Sequence, residues 1–497
     1  MKRYLLGFDI GSSSIKAALV DAETGKTAAH AFSPETEMPI SSPRPGWAEQ
    51  HPESWWQEVI SVSGKLRRQL DFKPEEIAAI GISYQMHGLV LVDKDQQVLR
   101  PSIIWCDSRA VAAGNQAFGD LGKKFCLEHF LNSPGNFTAS KLKWVRENEP
   151  LVYEKTDKFM LPGDFIAMKM SGEACTTYSG LSEGILWDFL EEKPAQSLLD
   201  HYGIDARLIA TPKPTFSIQG HLQEGPAELL GLKAGIPIAY RAGDQPNNAF
   251  SLNVLEPGEV AATAGTSGVV YSISDKNVHD KQSRVNPFAH VNHTPAHKRL
   301  GILLCINGTG ILNSWVRKNF GSDLSYEEMN LLASRVPPGA DGVSILPFGN
   351  GAERMLENRY TGSVISGLDF NNHERGHVFR AAQEGIAFAF RYGMELMQQL
   401  GTDTRVIRAG NANMFLSPVF RETLSSLTGA TIELYDTDGA AGAARGAGVG
   451  AGIYSSPSEA GRYLQRINLV APQQSQAGAL EEAYQAWKLQ LLEKLQA

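Results

Sequence analysis

The chain opens on alternation. Residues 4–9 and 14–20 are apolar runs separated by Gly11-Ser12-Ser13, and residues 21–26 carry turn chemistry. The pattern predicts the start of a β-meander. Trp55, Trp56, Val59 and Ile60 then recur at helical spacing behind Pro52, which predicts a helix from that proline. Residues 77–83 and 89–92 read as buried strands on either side of Gln85-Met86-His87-Gly88, and residues 101–107 as another strand ending in polar positions. Residues 236–241 form a short apolar strand that stops at Gly243-Asp244; its Pro237 is tolerable at a strand's start.

The second half repeats the theme. Val260-Ala261-Ala262-Thr263-Ala264 runs into Gly265-Thr266-Ser267-Gly268 and then a second apolar strand. Strands are expected at 299–305, 406–409 and 431–434, and helices at 309–318, 377–398 and, built from small residues, 440–452. The end, from about Gly478, reads as an amphipathic surface helix. The repetition predicts an α/β protein of two lobes, residues 1–247 and 248–497.

Composition narrows the class. Of 497 residues, 42% are apolar and 20% charged, with a net charge of −8, so a soluble globular chain without a nucleic-acid partner is expected. No run of about 18 apolar residues suggests a membrane span. Four separated cysteines (Cys106, Cys126, Cys175, Cys305) fit reduced thiols in a cytoplasmic protein better than a disulfide framework.

Candidate chemistry gathers at strand ends. Backbone N–H groups and hydroxyls in a Gly-Ser or Gly-Thr-Ser turn can wrap phosphate oxygens, and glycine lets the backbone approach them. Asp9 stands just before the first such turn, where its charge would repel a phosphate unless a cation intervened, so it suggests Mg²⁺ held directly or through water. Asp244 ends the strand at 236–241 where the first lobe stops. A carboxylate there is placed to accept a proton from a substrate hydroxyl, as phosphoryl transfer requires; the plain alternative is a helix N-cap. Gln85, Met86 and His87, with Trp105 and Asp107, offer an amide, an imidazole and an apolar face to a polyhydroxylated ligand. Three other patterns carry less. Thr24-Gly25-Lys26-Thr27 lacks the first P-loop glycine, because Val20 stands there. Gly446-Ala447-Gly448-Val449-Gly450-Ala451 lies within a small-residue run that suits close helix packing. His290, His293 and His297 flank a turn with no cysteine near.

Taken together these segments resemble the FGGY carbohydrate kinases, in the actin/Hsp70/hexokinase-like superfamily, over nearly the whole chain. Phe8-Asp9-Ile10-Gly11-Ser12-Ser13-Ser14 is similar to the first phosphate motif, Ala264-Gly265-Thr266-Ser267-Gly268 to the second, and Ala409-Gly410-Asn411-Ala412-Asn413 stands at the adenosine motif. Pro45-Gly46-Trp47-Ala48-Glu49-Gln50, Gln85-Met86-His87-Gly88 and Ile103-Ile104-Trp105-Cys106-Asp107-Ser108-Arg109 resemble the xylulokinase branch. The resemblance implies RNase H-like lobes around a central cleft, a ketose substrate, ATP with Mg²⁺, and a homodimer. It implies Asp244 as general base, Gln85, Met86, His87, Trp105, Asp107 and Asn247 about the sugar, and Asp9, Gly11, Ser12, Ser13, Gly265, Thr266, Ser267, Gly310, Gly410 and Asn411 about the nucleotide. The chain departs from the pattern at Gln245, where asparagine is usual, at Asn411, which interrupts the adenosine glycines, and at Tyr84, where glycine is common. Another ketose or a polyol, or an actin-like ATP switch without a small substrate, is the competing reading.

Overall fold

Alternation in the first thirty residues becomes a three-stranded meander, β1 (Tyr4–Ile10), β2 (Ile15–Asp21) and β3 (Thr27–Ser33). The structure, a computed structural model, describes residues 2–496. Helix α1 (Pro52–Gln69) starts at the expected proline and buries Trp55, Trp56, Val59, Val62 and Leu66. Strand β4 (Ile77–Tyr84) pairs parallel to β1. Beyond it come α2 (Thr138–Asn148) and α3 (Pro162–Ser171), then β5 (Phe216–His221) and β6 (Pro237–Gly243). The sheet order is β5-β6-β4-β1-β2-β3, with β6, β4 and β1 parallel. Ile10 and Gly243 both register against Tyr84, so the carboxyl ends of three strands finish level. Open α/β sheets bind ligands at that edge. Helix α4 (Asp244–Ser251) leaves directly from β6.

The second sheet repeats this plan. Its strands are β7 (Gly258–Ala264), β8 (Gly268–Ser274), β9 (Asn286–Ala289) and β10 (Leu300–Ile306). After α5 (Gly310–Phe320) and α6 (Arg375–Gln398) follow β11 (Thr404–Gly410), β12 (Thr431–Tyr435), α7 (Gly439–Gly450), β13 (Arg466–Val470) and α8 (Gln474–Gln496). The order is β9-β10-β8-β7-β11-β12-β13, again an antiparallel hairpin flanked by parallel strands. Both lobes are thus RNase H-like, as expected. Helix α8 buries Leu480, Tyr484, Trp487 and Leu491 on one stripe.

The small-residue helix α7 is the seam. Although it belongs to the second half of the sequence, it lies on the first sheet: a Cβ at Gly7 or Gly81 would overlap the carbonyl oxygens of Ala440 and Ala443. Its alanines share a core with Leu5, Ala18, Ala79, Ala239 and Phe250. Close helix packing therefore explains the Gly446–Gly450 run. The cut at residues 247/248 falls inside α4, which packs against α7 where Gly442 meets Ser251. One expected strand is corrected: of 101–107 only Ser102–Ile103 is extended, and Trp105-Cys106 lies in a turn.

Candidate active site

Asp244 is the first residue of α4, at the level edge of the first sheet. Strand β6 is fixed beneath it by a fully buried ion pair, Arg241 Nε to Asp164 Oδ1 at 2.9 Å, which ties it to α3. Arg241 also donates to the Cys175 carbonyl at 2.9 Å. Burial, together with the nearby Asp9 charge, pushes the Asp244 carboxyl up to about 7. Asp9 ends β1 beside it; burial raises its own pKa, Asp438 adds to the shift, and Lys16 opposes it. Several carboxylates whose charges resist one another suit a divalent cation. A Cβ at Gly439 would stand 2.6 Å from Asp9 Oδ2, so the backbone there leaves Asp9 its room. Asp9 is the residue that would hold Mg²⁺. No set of three or more His, Cys, Asp or Glu side chains forms a metal site among the described residues.

The first turn is braced. Gly11 N–H donates to the Ser14 carbonyl at 3.2 Å, and the carbonyls of Ser12 and Ser13 accept from Gln50 Nε2 at 2.7 Å and Met38 N–H at 2.8 Å. Ser12 Oγ accepts from Trp105 Nε1 at 3.3 Å, which links the phosphate turn to the sugar side. Trp105 keeps 53% of its surface exposed, so its face is open to a ligand. His87 follows β4 with φ of +62°, a left-handed backbone that a non-glycine residue holds only under constraint. Two contacts supply the constraint. Its Nδ1 lies 3.0 Å from the Glu183 carbonyl, and its own carbonyl accepts from Lys141 Nζ at 2.8 Å. Burial and the Lys141 charge press the imidazole down to about 3, so His87 is neutral and donates from Nδ1.

The remaining sugar-side residues are placed differently from expectation. Asp107 is fully buried and both its oxygens are taken: Oδ2 accepts from Ala48 N–H at 2.6 Å, and Arg109 clamps both. These contacts make it a brace for the Trp105 turn. Gln85 is buried, with its N–H on the Ile10 carbonyl at 2.8 Å, and Met86 packs against Gly243. Asn247 is buried and donates to the Gly439 carbonyl at 2.9 Å, toward the seam.

Two more buried residues lie here. Glu183 lies with a carboxyl oxygen 3.6 Å from His87 Nδ1 and beside Gly243; burial raises its pKa well above the ordinary carboxylate value. Lys141, on α2, donates to the carbonyls of His87 and Ile104, and burial lowers it to about 7. Nothing in the local sequence marks Glu183. They reach the site through the tertiary fold.

The second turn is open. Thr266 and Ser267 are exposed, and α5 docks on the turn through Gly310 N–H to Gly265 O at 2.9 Å and Ile311 N–H to Thr266 O at 3.1 Å. A Cβ at Gly310 would overlap the Gly265 carbonyl oxygen. Beside the turn is a cavity of about 470 Å³ lined by Gly265, Thr266, Gly310, Asn313, Tyr326 and Asn413 among others. Asn413, with φ of +54°, lines it in place of Gly410 and Asn411; Asn411 N–H is turned to the Tyr435 carbonyl. Tyr326 and Asn313 were not foreseen. Of the three histidines His290 is core, with Nδ1 3.1 Å from the Tyr271 hydroxyl and Nε2 3.0 Å from the Val254 carbonyl, while His297 is exposed. All four cysteines are free, and no described helix is long and apolar enough to cross a membrane.

With this geometry in view, known proteins give a consistent picture. The domain models of the FGGY family of carbohydrate kinases match the chain, the N-terminal one over residues 4–251 and the C-terminal one over 260–453. The chain is 29% identical to a xylulose kinase of Bacillus subtilis over 82% of its length and 79% of the relative's. It is 28% identical to an L-xylulose/3-keto-L-gulonate kinase of Escherichia coli over 98% and 96%. A crystal structure described as a xyloylose kinase from Brucella ovis superposes with a TM-score of 0.87 at 26% identity, covering 98% of each chain.

Proposed function

Because the chain belongs to the FGGY family of carbohydrate kinases, we propose that it transfers the terminal phosphoryl group of ATP to D-xylulose, giving D-xylulose 5-phosphate and ADP. The observation that carries this reading is Asp244. It is a half-buried carboxylate at the level strand edge, near Asp9 and directly after Gly243, which packs against Met86 and Glu183. The first lobe takes the sugar and the second the nucleotide. His87 and Trp105 contact the ketose, while Gln85, Met86 and Asp107 hold those two in place. The neutral imidazole donates from Nδ1 to the protein, so its other nitrogen accepts from a sugar hydroxyl. Asp244 accepts the proton of the attacking hydroxyl, and a base titrating near neutral pH is well matched to that task. The open turn Gly265-Thr266-Ser267 receives the outer phosphates, and the cavity beside Tyr326 and Asn413 receives the adenosine. Asp9 holds the magnesium ion, whose charge, when bound, neutralises the phosphates.

A second reading, a different ketose or a polyol, rests on one observation. Asn247 is turned to the Gly439 carbonyl, so the amide beside the base comes from Gln245, one methylene longer than the usual asparagine. Steady-state kcat/KM on a panel of D-xylulose, D-ribulose, L-xylulose, glycerol and gluconate with MgATP separates the two. D-xylulose is expected to lead by about 10-fold or more. Another leader replaces the sugar, and a panel in which no acceptor accelerates ADP formation overturns the kinase reading.

A further inference from the structure

Arg354 has no part in the reaction as described, and its surroundings leave it unsatisfied. It opens the short turn Arg354–Leu356, directly after Glu353. The Glu353 carboxylate is spent on backbone: it accepts from Asn307 N–H at 3.0 Å and Gly308 N–H at 2.9 Å. Asp280, the other acid whose charge reaches Arg354, is clamped by Arg284. Arg354 donates once, from Nε to the Ser283 carbonyl at 2.9 Å. Among the described residues no carboxylate and no other side-chain or backbone acceptor pairs with its two terminal nitrogens. A guanidinium fork whose terminal nitrogens carry no counter-charge is free to take an anion.

Its position gives that charge a use. Ser283 leads into β9, whose Phe288 ring lies 5.4 Å from the His87 ring of the other lobe. Asn307 and Gly308 carry β10 into Gly310, which docks on the phosphate turn through the Gly265 carbonyl. Arg354 is therefore tied through Ser283 to the segment that leads to the His87 contact, and through its neighbour Glu353 to the segment that leads to the second turn. Its positive charge is felt at Cys305 and, across the cleft, at His87.

We propose that Arg354 binds the phosphoryl group in transit, with its two free terminal nitrogens on two oxygens of the nucleotide's terminal phosphate and then of the sugar phosphate. A planar guanidinium fork matches a phosphoryl group in this way. In the step the bond from the terminal phosphorus to the ADP oxygen breaks, and its electron pair leaves with ADP. The bond from that phosphorus to the sugar oxygen forms, and the hydroxyl proton goes to Asp244. Arg354 neither gives nor takes a proton.

The sugar-phosphate half of this inference rests on the kinase reading above; the nucleotide half does not. The test is calorimetric titration of full-length wild type, Arg354→Gln and Arg354→Lys. The ligands are MgADP, the magnesium complex of the non-hydrolysable analogue AMP-PNP, D-xylulose and D-xylulose 5-phosphate, with turnover measured alongside. Arg354→Gln is expected to bind MgADP and D-xylulose within about 2-fold of wild type. It should lose about 10- to 100-fold in affinity for AMP-PNP and for the sugar phosphate, and a similar factor in kcat with the sugar KM little changed. Arg354→Lys is expected to recover part of the anion affinity. If Arg354→Gln keeps the wild-type ratio of AMP-PNP to ADP affinity, the proposal is overturned whatever sugar the protein takes. Equal losses for all four ligands overturn it too, since they mark a purely structural role. Should wild type fail to bind D-xylulose, the sugar assignment falls while the nucleotide ratio still decides the fate of Arg354.

Discussion

The two glycine-hydroxyl turns share one backbone plan and differ in everything attached to it. In each lobe an apolar strand enters the turn and pairs antiparallel with the strand leaving it. In the first lobe the residue before the strand's last position is Asp9, opposite Lys16; in the second it is Thr263, opposite Val269. The first turn is braced by Gln50, Met38 and Trp105, while the second leaves Thr266 and Ser267 exposed and borrows the start of α5 as a floor. One turn is therefore a fixed carboxylate platform and the other an open set of donors. A triphosphate between them would meet negative charge on one side and N–H groups on the other. On the proposed function, that asymmetry would put a cation at Asp9 and phosphate oxygens at Gly265.

Several substitutions break or sharpen this comparison. Asp9→Asn is expected to lower MgATP-dependent kcat by about 10²-fold or more, whereas Thr263→Ala at the matching place costs less than about 10-fold; a coupled ADP assay compares them. Equal effects would erase the difference between the turns. Gly310→Ala drives a methyl into the Gly265 carbonyl and should raise KM for MgATP by about 10-fold or more, with the sugar KM little changed.

Asp244 links the turns through its titration. It titrates near 7 in the folded protein and near 3.8 when free. As a base it must be ionised, so kcat/KM is expected to fall on the acid side of about pH 7, roughly 10-fold per pH unit. Stability runs the other way. The fold favours the neutral carboxyl, so this contribution is present below about pH 4, is lost as pH rises to about 7, and is absent above. Asp244→Asn should therefore raise Tm at pH 8 and leave it unchanged at pH 4, which differential scanning calorimetry can read. The smallest expected effect is that of Ser267→Ala, about 2- to 10-fold in KM for MgATP, because neighbouring N–H groups remain.

Much of this was legible in the chain. Apolar runs bounded by turn residues announced β1, β2 and β4, which are buried almost throughout, and helical spacing placed α1 at Pro52, because its apolar stripe packs on the first sheet. Asp9, His87, Asp244 and Gly265 were legible because they sit where apolar runs stop. The strand at 101–107 was over-read: Asp107 is pulled back onto Ala48 and Arg109, which turns Trp105-Cys106 out of the sheet. Small residues in α7 announced close packing without saying that the partner was the opposite lobe's sheet. Glu183 was invisible, since only tertiary contacts bring it to His87. The cavity is lined by Asn413 where Gly410 and Asn411 were expected, because the chain turns at Asn413 through a left-handed φ.

The central claim is that Asp244 takes the proton of the hydroxyl facing the bound triphosphate. Single-turnover phosphorylation of D-xylulose by Asp244→Asn, beside calorimetric MgADP and D-xylulose affinities, tests it most directly. The account predicts a rate about 10²- to 10⁴-fold below wild type with both affinities within a few-fold. A phosphoryl-transfer rate within 10-fold of wild type, at unchanged affinities, would contradict it.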